Sequence, residues 1–460
     1  MRKSELFAAL PPVWPDDLRG QIAQASMESN RALVVLDDDP TGTQSVFGVP
    51  VLTAWNIEAL AAEFEAGTSV FYVLTNSRAL PSPEANALAQ TIGAHLRAAS
   101  QATGRAFEVI SRGDSTLRGH FPGEVEALEA GLGERFDATL LVPAFFDGGR
   151  YSIGDVHYVE EGDELIEVAH TPFARDASFG FAQSNLRAWV EEKTGGRVRA
   201  SDVRSIALET LRVGGPHAAR AQLAALPRGA VCVVNAAHSR DLEVLSLAWL
   251  ESGRRFVARS AASLVPIRAG MPDRDWLRAE ELGLPARGAL WVAGSYVPKT
   301  TAQLDELCRR AAIERVELDV PALLNPARRG NAVQEALSRV TRALGEERDA
   351  LLCTSRALVT GQDATSNLAI GAQVSGALVE VVQRLPVRPR YIGAKGGITS
   401  SDIATRALGV RRALALGPIA PGVPVWRLGE ESRFAGLVYV VFPGNVGGAG
   451  ALADVVDKLG

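Results

Sequence analysis

The sequence predicts an α/β fold with two domains, each built on a mainly parallel sheet flanked by helices. Three observations favour this class. The chain has 460 residues, more than most single domains contain. Short apolar runs alternate along it with segments of helical periodicity, which is the pattern that builds parallel sheets. The 44 glycines suit a series of tight turns between strands and helices. We expect one domain at residues 1–270 and a second at residues 285–460.

The first predicted strand leads into the most unusual turn of the chain. Residues 32–36 form an unbroken apolar run, typical of a buried parallel strand, and Asp37, Asp38 and Asp39 follow it directly. Sites in open α/β sheets form at the carboxyl ends of such strands. Adjacent carboxylates repel one another, so a cation, a cluster of donors or a polyhydroxylated ligand would stabilise them. The alternative is a solvated turn in which one aspartate caps the following helix.

Three further strands of the first half, predicted at 69–75, 106–110 and 138–142, also end in polar residues. Arginine can hold a carboxylate through two parallel hydrogen bonds, while aspartate and asparagine can bond sugar hydroxyls. A single arginine at a strand end would more often be a surface residue, but several in one domain indicate a site for a small hydroxylated acid. The candidate substrate-binding residues are Asn76, Arg78, Arg112, Asp114, Ser115, Arg118 and Arg150.

The first domain is predicted to end where the alternation of strand and helix fails. Strands predicted at 204–207 and 230–235 continue the pattern, whereas residues 258–275 lose it and gather proline and glycine. A second series of strands begins at 290–293. Its later members are predicted near 314–318, 350–353, 390–393, 412–416 and 437–442.

Glycine-rich turns follow three strands of the second half. Glycines between a strand and a helix let backbone N–H groups approach phosphate oxygens, and the helix dipole favours negative charge there. No GxxxxGKS or GxxxxGKT sequence occurs, so a Walker-type loop is excluded. The three turns together predict a nucleotide phosphate site, to which Lys395 could add a point charge. The candidate residues are Ser295, Lys395, Gly396, Gly397, Ile398, Thr399, Ser400, Gly444 and Asn445.

Composition excludes several classes of protein. A net charge of −5 gives no electrostatic basis for binding nucleic acid. Cys232, Cys308 and Cys353 lack the spacing of a disulfide framework or a zinc site. No apolar run reaches the roughly 18 residues that span a bilayer, and the N-terminal residues lack the apolar core of a signal peptide. We expect a cytoplasmic protein without a nucleic-acid or membrane partner, and the sequence leaves homo-oligomerisation open.

An acid-binding half and a phosphate-binding half together suggest phosphoryl transfer, with the active site in the interdomain cleft. Such a reaction needs ATP, Mg²⁺, close positioning and a group that orients the nucleophilic hydroxyl. Asp37 and Asp38 are the candidate catalytic residues, because their strand delivers them to the carboxyl edge of the sheet. The Mg²⁺ ligands are not identified by the sequence.

Five motifs resemble the four-carbon acid sugar kinase family, formerly a domain family of unknown function. They are DDDPTGTQ, SRGDSTLRGHFPGE, PAFFDGGRYSIGDVHYV, KGGITSSD and FPGNVGG, in this order and across nearly the whole chain. The resemblance implies an N-terminal domain that binds the acid and a C-terminal domain that binds the nucleotide. It also implies transfer of a phosphoryl group from ATP to the terminal hydroxyl of threonate, erythronate or 3-oxo-tetronate, without naming which acid.

Site residues follow from the resemblance position by position. Asp37 and Asp38 match the family's DD pair, and residues 114–119 match its DSTLRG motif. The commoner family form DDFTGA also aligns one position later, on Asp38 and Asp39. The late turn departs from the usual KSGNFG, since Phe442 and Pro443 precede its first glycine. In the second half the matching residues are Ser295 on the GS turn, Gly397, Thr399 and Ser400 on the GGxTS loop, and Gly444 and Asn445 on the late turn.

Two other functions fit parts of the sequence. A haloacid dehalogenase-type phosphatase would use a DxDxT motif, with Asp37 as nucleophile and Asp39 as general acid. That mechanism also needs a later lysine at a helix start, and before Lys299 only Lys193 is available, in a polar turn. A non-catalytic sugar-acid sensor would use the first half and leave the glycine turns of the second without a role.

Overall fold

The computed structural model describes the chain except for residues 296, 357, 358, 360–363 and 445, and it describes residues 364–369 without their side chains. The chain divides into two compact units. Unit 1 comprises Met1–Val46 and Ala54–Arg274, and unit 2 comprises Phe47–Thr53 and Asp275–Gly460. The short segment Phe47–Thr53 therefore belongs to unit 2, although it lies inside the range predicted for the first domain.

The strands of the described chain are β1 (Ala32–Asp37), β2 (Val49–Leu52), β3 (Val70–Leu74), β4 (Phe107–Arg112), β5 (Ala138–Val142), β6 (Arg150–Ile153), β7 (Val156–Glu161), β8 (Glu164–Glu167), β9 (Arg204–Ile206), β10 (Ala230–Val234), β11 (Phe256–Ser260), β12 (Leu290–Ala293), β13 (Ile313–Leu318), β14 (Asp349–Thr354), β15 (Ile392–Lys395), β16 (Arg412–Ala420), β17 (Val423–Leu428) and β18 (Val438–Phe442).

The helices are α1 (Lys3–Ala8), α2 (Arg19–Ser29), α3 (Ile57–Glu65), α4 (Ser82–Thr103), α5 (Gly123–Leu132), α6 (Leu186–Lys193), α7 (Leu208–Arg212), α8 (Gly215–Ala224), α9 (Ser239–Glu251), α10 (Leu264–Arg268), α11 (Ala279–Leu282), α12 (Pro298–Arg310), α13 (Val320–Leu323), α14 (Pro326–Gly345), α15 (Ala364–Arg384), α16 (Gly397–Asp402) and α17 (Ala451–Leu459).

Unit 1 is built on a parallel sheet with the strand order β3-β1-β4-β11-β5-β10-β9. Every residue of β1 and β3 is buried, as expected when helices cover both faces of a parallel sheet. A separate antiparallel sheet, β6-β7-β8, follows β5. Its first two strands hold Tyr151 and Tyr158, which pack with Leu165 and Leu208 in a small core of their own.

Unit 2 has a mixed sheet. Strands β13, β14, β12, β15 and β18 are parallel neighbours in that order, and β17, β16 and β2 continue the sheet in antiparallel pairs. Strand β2 is supplied by the segment Phe47–Thr53 and pairs with Arg412–Ala415 of β16. Large rings fill the core below β12 and β15. A Cβ atom on Gly393 would lie 2.5 Å from the Trp291 ring, so only glycine fits there.

The structure confirms the predicted class, a two-domain α/β protein with mainly parallel sheets, and corrects several elements. Residues 258–275 were predicted to lie beyond the last strand of the first domain. Instead β11 lies between β4 and β5, near the middle of the unit 1 sheet. The prediction failed because Arg259 interrupts the apolar run that would identify a buried strand. Strand 390–393 is shifted to Ile392–Lys395, and the helix after it begins at Gly397 and continues as a π-helical turn, Ile403–Ala407.

Candidate active site

The carboxyl ends of β1, β3 and β4 meet at one edge of the unit 1 sheet. The register places Asp37, the last residue of β1, beside Leu74 of β3 and Arg112 of β4. Next in the sheet, Ser260 of β11 lies beside Arg112. The polar residues that follow these strands in sequence are therefore brought into one cluster, as parallel pairing requires.

Asp38 is held between two arginines. Its carboxylate accepts hydrogen bonds from Arg78, at Oδ1, and from Arg259 Nη2, at 3.3 Å from Oδ2. The side chain is only 3% exposed. Burial alone would raise the pKa of Asp38, but the positive charges of Arg78 and Arg259 outweigh it and hold that pKa below its ordinary value. Asp38 is therefore an ionised carboxylate with both oxygens engaged.

Asp37 lies deeper, with a side chain 1% exposed. Arg112 Nη1 lies 3.4 Å from its Oδ1. Burial raises the pKa of Asp37 to about 7; Arg112 opposes the rise, and the negative charges of Asp38 and Asp39 add to it. Asp37 therefore exchanges a proton near neutral pH, the property of an effective general base or acid.

Asp39 differs from both of its neighbours, since 21% of its side chain is exposed. Its Oδ1 accepts hydrogen bonds from the backbone N–H and the hydroxyl of Thr41, at 2.9 and 2.6 Å, and so caps the 3₁₀ turn Pro40–Thr43. Its Oδ2 lies 3.5 Å from Arg78 Nη1. The capping aspartate considered from the sequence is therefore present, and it is Asp39.

Three glycines allow this cluster to close. A Cβ atom on Gly42 would lie 1.7 Å from Asp37 Oδ2, and a Cβ on Gly113 or Gly119 would lie 2.3 or 2.4 Å from Arg259 Nη2. Gly119 also has a backbone φ of 126°, a value that residues other than glycine rarely adopt. Any larger residue at these positions would push the backbone away from the charged groups.

A second group of charges lies on the loop after β4. Asp114 accepts hydrogen bonds from the Thr116 hydroxyl and from Arg118 Nε, the latter at 2.7 Å. Burial opposes its ionisation, but Arg78 and Arg118 hold the pKa of Asp114 well below its usual range. The guanidinium groups of Arg118 and Arg150 lie over the Phe173 ring, at 5.2 and 5.8 Å from its centroid. Two arginines thus flank one aromatic ring, with Arg118 21% exposed.

His157 connects this loop to the antiparallel sheet. The imidazole of His157 is completely buried, with Nε2 2.7 Å from the Ser115 carbonyl oxygen and Nδ1 3.0 Å from Ser152 Oγ. A carbonyl oxygen only accepts, so Nε2 carries the proton and Nδ1 accepts from the serine hydroxyl. Burial lowers the pKa of His157 to about 4, so the ring is neutral at neutral pH.

The remaining predicted residues of unit 1 lie around the same cluster. Asn76 is partly buried and has a left-handed backbone, with φ 52°, at the turn after β3. The neighbouring Ser77 donates to Glu124 Oε1 at 2.5 Å, and Glu124 Oε2 lies 3.6 Å from Arg259. The sequence did not single out Arg259, Glu124, Phe173 or His157 as site residues. Glu124 and His157 lie within two of the quoted motifs, whereas Arg259 and Phe173 lie in none of them. Only the pairing of β11 between β4 and β5 brings Arg259 to the site.

In unit 2, the turns after three neighbouring strands, β12, β15 and β18, come together. A Cβ atom on Gly294 would lie 2.9 Å from Thr399 Oγ1, and one on Gly444 would lie 3.9 Å from Gly396 Cα. The Gly396 N–H donates to the Phe442 carbonyl at 2.8 Å. Gly396 has a φ of 102°, and helix α16 begins immediately after it. The first N–H groups of a helix have no intrahelical partner, so those of Gly397, Ile398 and Thr399 are suited to an anion.

The side chains of two predicted residues in this group form hydrogen bonds to backbone carbonyl oxygens of the protein itself. Lys395 was expected in the turn, but it is the last residue of β15 and fully buried, with Nζ 3.3 and 3.4 Å from the carbonyl oxygens of Pro443 and Gly444. Burial, assisted by the charge of Lys299, lowers the pKa of Lys395 to about 8. The Ser400 hydroxyl donates to the Ala394 carbonyl at 2.9 Å. Both side chains therefore stabilise the loops.

Three further residues of this group differ from Lys395 and Ser400. The Ser295 carbonyl accepts from Arg356 Nη1 at 2.6 Å, which places an arginine that the sequence did not single out beside the first turn. Ile398 is exposed at the start of α16. Asn445 lies outside the described residues.

No group of three or more His, Cys, Asp or Glu side chains among the described residues is arranged to hold a metal ion. None of the helices in that part of the chain has the length and apolarity needed to cross a bilayer.

Comparison with known families assigns a role to each part of the chain. Residues 33–267 match a family described as the sugar-binding N-terminal domain, and residues 290–452 match one described as the nucleotide-binding C-terminal domain. The chain belongs to the four-carbon acid sugar kinase family. The family matches assign sugar binding to the part that carries the arginine and aspartate cluster, and nucleotide binding to the part that carries the glycine turns.

Solved structures share the fold. A protein of Salmonella typhimurium LT2, provisionally described as a tRNA synthase, is 18% identical, with a TM-score of 0.66 over 93% of this chain and 99% of its own. Haemophilus influenzae protein HI1011, assigned to the family DUF1537, is 19% identical, with a TM-score of 0.62 over 93% of this chain and 100% of its own. No curated protein matches the sequence. At these identities the likeness shows the fold alone.

Proposed function

We propose that this protein is an ATP-dependent kinase that phosphorylates the terminal hydroxyl of a four-carbon sugar acid of the threonate, erythronate or 3-oxo-tetronate type. The observation that carries the proposal is the arginine and aspartate cluster at the carboxyl edge of the sugar-binding domain. It combines guanidinium groups for a carboxylate, aspartates for hydroxyls and, in Asp37, a carboxyl group whose pKa of about 7 suits proton transfer.

The acid's carboxylate is assigned to Arg118 and Arg150. Arg118 keeps Nε on Asp114, and its Nη1 lies 3.6 Å from Asp176. Buried Nε of Arg150 has no hydrogen-bond partner among the described residues. Burial lowers the pKa of Arg150, with Arg118 adding repulsion that a bound anion would relieve. Arg112 is less suited to this role because it is buried against Asp37. Asn76, Arg78 and Ser115 are proposed to bond the sugar-acid hydroxyls.

The hydroxyl proton is assigned to the aspartates after β1. Asp38 is fixed as an anion by two arginines, so it suits orientation of the acceptor hydroxyl. Asp37 is the group that can take up a proton near neutral pH. Because Gly42 covers it, Asp37 would accept that proton through one intervening water, an arrangement compatible with general-base catalysis. Asp39, the most exposed of the three, is the alternative if the family's DD pair aligns one position later.

The nucleotide is assigned to the glycine turns of unit 2. ATP phosphates would contact the backbone at Ser295, at Gly396–Ser400 and at Gly444, with Asn445 proposed from the family motif. Mg²⁺ would come with the nucleotide. Mg²⁺ in kinases is held by one or two carboxylates plus substrate phosphates, so the absence of a carboxylate cage among the described residues is compatible with it. When bound there, Mg²⁺ would supply positive charge that neutralises the phosphates. The cytoplasmic location expected from the cysteines stays a prediction.

The phosphatase alternative fits less well. A nucleophilic aspartate must bond directly to phosphorus, whereas the Asp37 carboxylate is 1% exposed and paired with Arg112. A sensor without catalysis would leave the nucleotide-binding domain, residues 290–452, without a function.

The test is a kinase assay with ATP, Mg²⁺ and each four-carbon acid, coupled to ADP detection. We expect ADP to form with at least one of these acids and not with ATP alone. The pH dependence of kcat/KM should show a rise with a midpoint near pH 7, since Asp37 must lose its proton to act as base.

Asp37→Asn and Asp38→Asn should each lower kcat by about 10²–10⁴-fold with little effect on KM for ATP. Asp39→Asn is the matched comparison and should lose less. A larger decrease of kcat in Asp39→Asn than in the other two variants would indicate that Asp39 is the general base. Release of phosphate from sugar phosphates, with no ADP from any acid, would contradict the kinase.

A further inference from the structure

A cavity of about 420 Å³ lies in unit 1 at the opposite edge of the sheet from the candidate active site. It opens at the amino ends of β1, β3 and β4, beside the end of α2. Its volume is in the range of sites for small organic ligands. Strand β1 separates it from Asp37 by about 15 Å, at 3.3 Å per residue. It is therefore a separate feature.

Three arginines line this cavity: Arg31, Arg105 and Arg268. The Arg268 side chain is 4% exposed, an unusual degree of burial for a guanidinium. It pairs with Glu108 and donates to Ser26 Oγ at 3.2 Å. Glu108 offsets one of the three positive charges, so these four side chains carry a formal net charge of about +2.

The guanidinium groups are not fully used. Nε of Arg268 and Nε of Arg105 are both buried and have no hydrogen-bond partner in the part of the chain that the structure describes. Arg105 donates from Nη1 to Asn30. Burial lowers the pKa of Arg268, and the positive charge of Arg31 contributes, so these two arginines lie close enough to repel each other. Buried donors without acceptors and neighbouring like charges are both destabilising unless an anion binds.

The rest of the lining mixes apolar side chains with the polar residues Ser29, Asn30 and Ser69. Met27, Leu33 and Val70 contribute to the cavity wall. A ligand that fills it would therefore carry an anionic group for the arginines and a small carbon skeleton for the apolar wall.

We propose that this cavity, defined by Arg31, Arg105 and Arg268, is a second ligand site that binds a small organic phosphate. A phosphate group presents enough acceptor oxygens for several guanidinium groups at once and forms bidentate bonds with arginine. Neither the sugar acid nor ATP is assigned to this edge of the sheet, so the site goes beyond the proposed catalytic function and does not depend on it.

The test uses the full-length protein and phenyl phosphate, with inorganic phosphate and phenol as comparison probes. Binding is measured by calorimetry at constant ionic strength and located by hydrogen–deuterium exchange. We expect phenyl phosphate to bind more tightly than inorganic phosphate, to slow exchange at residues 26–31 and 103–108, and phenol not to bind. The exchange measurement separates this site from phosphate bound at the glycine turns of unit 2.

Arg31→Ala with Arg105→Ala should weaken phenyl phosphate binding at this site by roughly tenfold or more, because two charged donors are lost. Both side chains lie partly in solvent, so the double variant should fold. Arg199→Ala, an exposed arginine of the same unit, is the matched control and should bind as the wild type does. Unchanged exchange at residues 26–31 and 103–108 in the wild type at millimolar probe, or unchanged binding in the double variant, would overturn the proposal.

Discussion

The arginines at the carboxyl edge of the unit 1 sheet fall into two groups. Arg112 and Arg259 are buried and face Asp37 and Asp38, so their charge is used inside the protein. Arg118 and Arg150 lie further out and share the ring of Phe173. Removal of a buried partner leaves an uncompensated charge, whereas an outer arginine can be changed with little effect on folding. The outer pair is therefore the better place to test substrate binding.

Arg118→Lys and Arg150→Lys should each raise KM for the sugar acid by roughly tenfold or more while leaving KM for ATP unchanged. Lysine keeps the positive charge but cannot form two parallel bonds to a carboxylate or stack as a planar group on the ring. Steady-state kinetics with each substrate varied in turn measures both constants. Arg228→Lys, on a side chain that is 92% exposed, serves as the control. An unchanged KM for the acid in both variants would show that its carboxylate binds elsewhere.

At the scale of single elements, the antiparallel sheet β6-β7-β8 positions the loop after β4. Ser152 on β6 and His157 on β7 form a chain of hydrogen bonds that ends on the Ser115 carbonyl. The His157 ring is neutral, and protonation would replace the acceptor at Nδ1 by a second donor facing the Ser152 hydroxyl. Arg150, on the same sheet, adds a positive charge that also disfavours the protonated ring.

This connection predicts a stability that depends on pH. The pKa of His157 is about 4 in the folded chain and near its ordinary value of 6.5 in the unfolded chain. Between these values the unfolded state binds more protons, so stability falls as pH falls from 6.5 to 4, by about 3 kcal/mol in all. His157→Gln can still donate to Ser115 but does not titrate, so it should reduce this pH dependence.

Urea unfolding of unit 1, followed between pH 4.5 and pH 7.5, measures the effect. His217→Gln, at an exposed histidine of the same unit, should keep the pH dependence of the wild type. If His157→Gln and the wild type lose stability equally on acidification, another group carries the dependence.

The strands that were predictable from sequence are those with uninterrupted apolar runs. Strands β1 and β3 meet this condition and lie where the sequence indicates. Strand β11 does not, because Arg259 and Ser260 occupy two of its five positions. An arginine inside a central strand is tolerated only because Asp38, Ser111 and Glu124 surround it, and no sequence window contains that environment.

The same limit applies to the candidate site. The sequence named polar residues at strand ends, and parallel pairing places Asp37 beside Arg112. Phe173 and His157 belong to segments outside the predicted strand ends, so their approach to Arg118 and Ser115 depends on tertiary packing. The solvent exposure of the arginines could not be predicted either, because nothing in the sequence distinguishes the buried Arg112 from the more exposed Arg118.

At the scale of the whole molecule, the chain leaves unit 1 after Val46, supplies Phe47–Thr53 to unit 2 and then returns. This segment contributes β2, which pairs with β16. A Cβ atom on Gly417 of β16 would lie 2.3 Å from the Phe47 ring, so the segment also packs closely against that strand. Unit 2 is therefore incomplete if it is produced from residues after 275 alone.

A fragment of residues 275–460 should consequently be less stable and more prone to aggregate than the same fragment joined to residues 47–53 by a glycine–serine linker. Without β2, the backbone N–H and C=O groups of β16 form an open sheet edge. Light scattering and thermal unfolding compare the two fragments, and calorimetry with ADP tests whether the joined one binds nucleotide. Equal stability of both would show that β2 contributes little. A folded joined fragment that does not bind ADP would contradict the assignment of nucleotide binding to residues after about 285.

Because Phe47–Thr53 belongs to unit 2, this segment must wait for its partner strand during synthesis on the ribosome. Thr53 donates a hydrogen bond to the carbonyl of Val410, 357 positions later in the chain. At roughly 5–20 residues per second, the segment containing β2 waits about 20–70 s for this partner to emerge. During that time the segment lacks its β16 partner while the chain grows. Pro50 lacks an N–H group, so β2 pairs less readily with strands of neighbouring chains. We still expect the nascent chains that stall before residue 410 to be those that need a chaperone.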